Sequence, residues 1–268
     1  MKNDTLSFTV DLAREAGALL KEYFRVDGVA SSIKPDRSLV TRADIEADEL
    51  IRSAIHKGYP DDGILSEEES TYFPEGFKNV WVIDPLDGTT NYSLGLHYWG
   101  VSIARFRDGQ PQFSVVYFPI MDEMFAAQRG QGATLNGEKH TVPDPQENAP
   151  ASFFAHCSRT CKRYHVEIPY KRRSLGAAAY HICTVAKGSA IISLEVTPKL
   201  WDIAGAWLVV EEAGGSITTL AGGEPFPALT GVDYQYQPYT TLAAANPDLL
   251  DQAQKGLIPR TEFSEFRK

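Results

Sequence analysis

Trp81-Val82-Ile83-Asp84-Pro85-Leu86-Asp87-Gly88-Thr89-Thr90-Asn91-Tyr92 is the stretch around which the chain is organised. Its first three residues have the apolar character of a strand end. Asp84 and Asp87 then bracket Pro85 and Leu86. Two carboxylates this close raise each other's pKa unless a cation compensates them, so one reading is a site for a hard metal ion. Pro85 fixes one φ angle, and Gly88 permits a sharp turn or a close approach. The hydroxyls of Thr89 and Thr90 would orient a water or cap a helix. The other reading is an Asx-type turn with a helix cap, because Asp, Pro and Gly are ordinary turn residues. The stretch alone leaves both open.

Immediately upstream, Ile64-Leu65 reads as a short strand running into Ser66-Glu67-Glu68-Glu69. Three adjacent acids usually form a solvated edge. Here the run ends a strand shortly before Asp84, which would stand a second carboxylate-bearing strand end beside it. Further back, the polar, turn-rich segment 32–41 carries Lys34 and Arg37 and leads into a predicted helix over 42–56. Thr41 is its expected N-cap and Asp44 completes a box-like arrangement, where an acid also complements the helix dipole. Apolar residues at helical spacing predict another helix over 6–24.

Downstream, 100–106 and 112–118 alternate like strands around an Asp108-Gly109 hairpin signal, and 123–128 and 133–136 look like two more. This predicts an antiparallel meander. Residues 142–150, with three prolines, form the best internal boundary. Beyond a strand at 151–156, Cys157, Cys161 and His165 fall four apart, on one helix face. With no second cysteine pair they read as small buried thiols at a helix start rather than a zinc site. Ser174 is the expected cap of a helix through 177–186 that ends at Gly188; such an N-terminus attracts anions, and the small residues 176–179 would admit a ligand or simply pack tightly. His181 within it reads as a satisfied histidine rather than a catalytic one. A strand at 190–194 precedes Glu195. In the run 201–215, WDIAGAWLVVEEAGG, Asp202 is the expected N-cap of an apolar helix that stops at a Gly pair. Strands follow at 216–220 and 241–245, separated by a loop-rich 222–238, and a weakly held tail after Gly256.

The chain has 268 residues, 43% of them hydrophobic and 23% charged, enough for one large domain or two closely packed lobes. Its net charge of −9 argues against nucleic-acid and anionic-membrane partners, although a local metal cluster would still attract a phosphorylated small molecule. There is no apolar run of signal length and no uncharged stretch of about 18 residues; with three cysteines, an odd number, this predicts a cytoplasmic protein. No G-x-G-x-x-G follows a predicted strand, which argues against an NAD enzyme. Cys157 and Cys161 have no identifiable base and so do not read as nucleophiles.

The segments DPLDGTTN (84–91) and WDIAGAWLVVEEAGG (201–215) together resemble the signatures of the inositol monophosphatase family, a group of Mg-dependent, lithium-sensitive phosphatases. The resemblance runs from VTRAD (40–44) to GGSI (214–217). It implies an α+β fold, a layered αβαβα sandwich of the inositol monophosphatase and fructose-1,6-bisphosphatase type. It further implies a homodimer, a lobe over 1–145 carrying most metal ligands, and a lobe over 146–268 carrying Asp202 and the substrate pocket.

By the same resemblance, two or three Mg²⁺ ions would be held by Glu67, Asp84, the Leu86 carbonyl, Asp87 and Asp202, with Asp84 shared. Asp44 and Thr89 would position and activate the attacking water, with Glu67 also counted among the catalytic residues. The amides of Gly88 and Thr89 would bind phosphate; Arg173, Gly176, Ala178 and Glu195 would form the substrate pocket. Two departures bear on substrate: the short loop KPDRSLVTRAD (34–44), which resembles bacterial and plant-type members including histidinol-phosphate phosphatases, and VTPKLW (196–201) before Asp202. The implied reaction is hydrolysis of a small phosphorylated polyol or amino alcohol, myo-inositol monophosphate first. Histidinol phosphate and sugar (bis)phosphates are the alternatives, and a non-catalytic metal-binding regulatory protein is a more remote one.

Overall fold

The computed structural model describes residues 5–35, 38–145 and 152–260. Helices α1 (Thr5–Tyr23) and α2 (Arg42–Gly58) flank a small hairpin, β1 (Ser31–Ile33) with β2 (Leu39–Thr41). Seven strands then form one sheet in chain order: β3 (Gly63–Ser66), β4 (Asn79–Asp87), β5 (Gly100–Arg107), β6 (Gln110–Phe118), β7 (Glu123–Gln128), β8 (Gly132–Leu135) and β9 (Glu138–His140). β3 runs parallel to β4 and every later neighbour is antiparallel, so the predicted meander is present. Short helix α3 (Thr89–Ser93) links β4 to β5.

Alternation along these strands feeds two cores. Val80, Val82, Ala104, Phe106, Val116 and Phe118 face one side. Their sequence neighbours Trp81, Ile83, Ile103, Val115 and Tyr117 face the other, against α1 and α2. Because both faces are covered, β4 is buried from Val80 to Asp87, the near-continuous pattern of a sheet packed between helical layers.

The second half supplies β10 (Phe153–His156), α4 (Thr160–Arg163), β11 (Tyr164–Val166), β12 (Lys171–Arg173), α5 (Ala178–Lys187), β13 (Ala190–Glu195), α6 (Leu200–Glu212), β14 (Ser216–Ala221), β15 (Thr240–Ala244), α7 (Pro247–Lys255) and β16 (Leu257–Pro259). Five of the strands form a mixed sheet in the order β12-β10-β13-β15-β14. α5 and α6 lie between the two sheets, which is why α6 is apolar nearly all round. α7 covers the outer face of the second sheet, over Ile192, Leu194, Leu242 and Ala244. The stack is α/β/α/β/α, the layered α+β sandwich expected.

Several local expectations are corrected. Cys157, Cys161 and His165 do not share a helix face: α4 has four residues, Cys157 precedes it and His165 lies in β11. Cys161 is exposed rather than buried. Within the weakly held tail expected after Gly256, β16 pairs antiparallel with β11, and residues 261–268 lie outside the described residues. Helix α7 adds to the predicted elements, with Asn246 as its N-cap and Pro247 at its first position. The boundary expected over 142–150 falls partly on 146–150, outside the described residues.

Candidate active site

At Pro85-Leu86 the β4–β5 ladder shifts register between Asp84 and Asp87, a bulge at a residue that has no N–H to donate. Leu86 N–H turns back to Asp84 Oδ1 at 3.0 Å, an Asx turn. Gly88 follows at φ +89°, where a Cβ would lie 2.9 Å from the Tyr98 carbonyl oxygen. Only glycine fits there, and α3 begins at once. Both sequence readings of the loop therefore hold: it is a turn with a helix start, and it also gathers carboxylates.

Asp84 lies on the face of β4 that Val80 and Val82 turn toward the middle layer, where α6 begins. Asp202 is not the N-cap of α6 but its third residue, accepting from Lys199 N–H at 2.6 Å. Gly205, one turn on, brings α6 close against β5: a Cβ there would lie 2.6 Å from Ser102 Oγ. Glu67 stands just past the end of β3, its N–H bonded to the Ile83 carbonyl at 3.2 Å. One carboxylate oxygen each from Glu67, Asp84 and Asp202 lie within 4.8 Å of one another.

Burial, and then the charge of Glu67, push the carboxyls of both Asp84 and Asp202 well above the usual carboxylate range. Three acids so placed repel one another, and a hard divalent cation with oxygen ligands is what relieves that repulsion. The donor set fits such a cation. Lys34 partly compensates at the rim, reaching Glu67 at 3.0 Å and Glu68 at 2.6 Å. Even so, Glu68 is pushed up to about 7, by burial first and by Glu67 next. Lys34 itself rises despite its burial, because these two carboxylates hold its proton.

Asp87 is differently employed. Its two oxygens accept from Ala178 N–H and Ala179 N–H at 2.9 and 3.0 Å, capping α5 from the other half of the chain. The expected cap, Ser174, lies before the helix start, and the N-cap position Ala177 has no side-chain bond to give. Burial raises Asp87 to about 7 against the pull of these N–H groups.

Asp44 has two jobs. Its Oδ2 accepts from Thr41 N–H at 2.7 Å, completing the capping box of α2, and its Oδ1 accepts from Thr89 Oγ1 at 3.0 Å. Thr89 Oγ1 also lies 3.1 Å from the Leu86 carbonyl. Burial raises Asp44, with the Thr41 and Thr89 bonds opposing.

All of these groups border or adjoin a cavity of about 770 Å³ that is also lined by Gly176, Ala178 and Glu195. Arg173 does not join them: it sits on exposed edge strand β12, its guanidinium bonded to the Arg172 carbonyl. Two residues were not given a role from sequence. Asn91 donates to the carbonyls of Tyr98 and Leu175, each at 2.6 Å, tying the acidic loop to the cavity wall. His181, buried, contacts Glu195. The DGTTN run hinted at Asn91; nothing local pointed to the His181 pairing. Among the described residues, Glu67, Asp84 and Asp202 are the one group of three metal-ligating side chains brought within reach of a shared ion. No helix among those residues is long and apolar enough to cross a membrane.

The profile of the inositol monophosphatase family matches residues 1–261. The Nus factor SuhB of Pasteurella multocida is 34% identical over 285 residues, covering 99% of this chain and 100% of that protein. A histidinol-phosphatase of Chlorobaculum parvum is 34% identical over 222 residues, 78% of this chain and 83% of that one. The solved structure of the Thermotoga maritima IMPase superimposes with a TM-score of 0.74 at 26% identity, covering 94% of this chain and 97% of that one. The acidic cluster, the layered sandwich and these matches lead to one assignment: the chain belongs to the inositol monophosphatase family and is a phosphomonoesterase of that superfamily with a divalent-cation site.

Proposed function

We propose that the protein hydrolyses the phosphate monoester of a small polyol, myo-inositol monophosphate first, using two or three Mg²⁺ ions. The observation that carries this reading is that the Glu67–Asp84–Asp202 cluster opens into the same cavity as Glu195 and the small residues Gly176 and Ala178. Glu67, Asp84, the Leu86 carbonyl, Asp87 and Asp202 would hold the ions. When bound, Mg²⁺ supplies Lewis acidity toward the phosphoryl oxygens and lowers the pKa of water.

The rest is work for the chain's own side chains. Thr89 Oγ1 donates its hydrogen to Asp44 Oδ1, which leaves the lone pairs of Thr89 Oγ1 to accept from a water. As that water attacks phosphorus, its proton passes to Thr89 Oγ and Thr89's own proton passes to Asp44 Oδ1, so Asp44 is the final base. Burial prepares Asp44 for this by raising its proton affinity. The amides of Gly88 and Thr89 receive the phosphate, and Gly176 and Ala178 let the alcohol approach the backbone. Glu195 accepts from the alcohol's hydroxyls. Arg173 lies outside the cavity lining, on the exposed strand β12.

Histidinol phosphate is the second reading, favoured by the Chlorobaculum parvum relative and by the attraction of a carboxylate for an ammonium group. Phosphate release from myo-inositol 1-phosphate, histidinol phosphate and fructose 1,6-bisphosphate, each across a Mg²⁺ titration, decides among them. Equal or faster turnover of histidinol phosphate would displace the inositol reading; no Mg-dependent release from any ester would displace the whole proposal. Family likeness also supports a cytoplasmic homodimer divided near residues 145 and 146, which sedimentation and limited proteolysis test.

A further inference from the structure

His181 is a buried titratable group that borders the cavity and that the reaction above leaves unused. It lies in the first turn of α5, only 1% exposed, and its side chain leans back toward the helix start. There the Leu175 backbone N–H reaches Nε2 at 2.6 Å. A backbone N–H can only donate, so Nε2 must accept and the ring proton must sit on Nδ1. Nδ1 faces Glu195 Oε1 in a short contact. Glu195 is thereby an acceptor at Oε1. Its side chain is 7% exposed and borders the cavity, and among the described residues no donor is bonded to Oε2.

The same loop is held from the opposite side. The Leu175 carbonyl accepts from Asn91 Nδ2 at 2.6 Å, so both backbone groups of Leu175 are fixed by side chains from the two sides of the cavity. Gly176 and Ala178, next along, are the small residues that border the site. His181 therefore links the height of this wall to the aim of Glu195.

We propose that His181 is a positioning residue, fixed as the Nδ1–H tautomer, which holds Glu195 with Oε2 presented to the cavity as a subsite for a hydrogen-bond donor on the alcohol. The inference rests on the phosphatase reading above and adds what sets its selectivity. The subsite takes a hydroxyl or an ammonium group and turns away a second phosphate or a carboxylate. A buried carboxylate needs a donor to be stable in one orientation, and a neutral imidazole gives one without cancelling the negative charge that the substrate is to meet.

The test compares kcat/KM for myo-inositol 1-phosphate with that for phenyl phosphate, whose alcohol has no second donor. In His181→Phe the ratio of the two should fall about tenfold, carried by KM of the polyol ester, since one charge-assisted hydrogen bond is misaligned. His181→Asn, which returns an N–H toward Glu195, should recover most of that ratio. In the wild-type protein, imidazole ¹⁵N and ¹³C shifts should report the Nδ1–H tautomer, a readout that needs no variant to fold. An equal loss on both esters, an unchanged ratio, or an Nε2–H tautomer would each overturn the proposal. Failure of the wild type to hydrolyse either ester would sink the phosphatase reading instead, and the tautomer would still decide the role of His181.

Discussion

Asp87 caps a helix that begins 91 residues further along the chain, accepting from Ala178 N–H at 2.9 Å and, through its other oxygen, from Ala179 N–H at 3.0 Å. The acidic loop and the wall of the cavity are thus one hydrogen-bonded unit. Asp87→Ala would leave two N–H groups at the start of α5 without their acceptor and lower stability by about 1–2 kcal/mol, the usual cost of a lost N-cap. Urea unfolding at neutral pH measures this. The same variant should lose about 100-fold in Mg-dependent phosphate release, because the residues around the ions are no longer held.

Asp84→Asn should separate stability from activity. Removing one charge from three mutually repelling carboxylates is expected to leave the melting temperature of the metal-free protein unchanged or higher, while phosphate release falls to background. A lower melting temperature together with retained activity would mean that Asp84 is a structural acid.

The pH dependence of the metal-free protein follows from carboxyls whose folded pKa values are raised. Asp87, near 7 when folded and 3.8 as an ordinary carboxyl, keeps its proton in the folded state where the unfolded chain has lost it. The folded state then binds more protons, so stability falls as pH rises from about 4 to about 7, with Asp84 and Asp202 acting in the same direction. Thermal unfolding in chelator across that range checks the sign. Added Mg²⁺ should reverse the loss, and its affinity should weaken as pH drops through the same window.

Much of this was legible in the sequence because it is local. The Thr41–Asp44 box, the Asp108-Gly109 turn with φ of +52° and +76°, and the alternation in β5 and β6 each depend on residues close in the chain. The gathering of Glu67, Asp84 and Asp202 was legible only through the family resemblance, since nothing in their spacing brings them together. What went unread is long-range or short: Asp87 reaching Ala178, Asn91 reaching Leu175, His181 meeting Glu195, and the three-residue strands of the β1–β2 hairpin. Neither propensity nor periodicity encodes a pairing between a loop and a helix 91 residues away. The misplacement of Ser174 as a cap has the same origin, because the true cap comes from another element.

Gly205 sets how closely α6 approaches β5, and so how near Asp202 comes to Asp84. A methyl there would meet Ser102 Oγ at 2.6 Å and Val116 Cγ2 at 2.9 Å. Gly205→Ala should cost about 1–3 kcal/mol by overpacking and raise the Mg²⁺ concentration needed for half-maximal rate. Adding Ser102→Ala should restore part of both, which denaturant curves and metal titrations of the double variant would show.

Glu67, Asp84 and Asp202 are placed to share one divalent cation. A crystal soaked in Mn²⁺, a Mg²⁺ surrogate with an anomalous signal, tests it most directly. The anomalous peak should lie within coordination distance, about 2–2.5 Å, of oxygens from all three carboxylates. A peak elsewhere, or Glu67 or Asp202 turned to solvent with no peak between them, would contradict it.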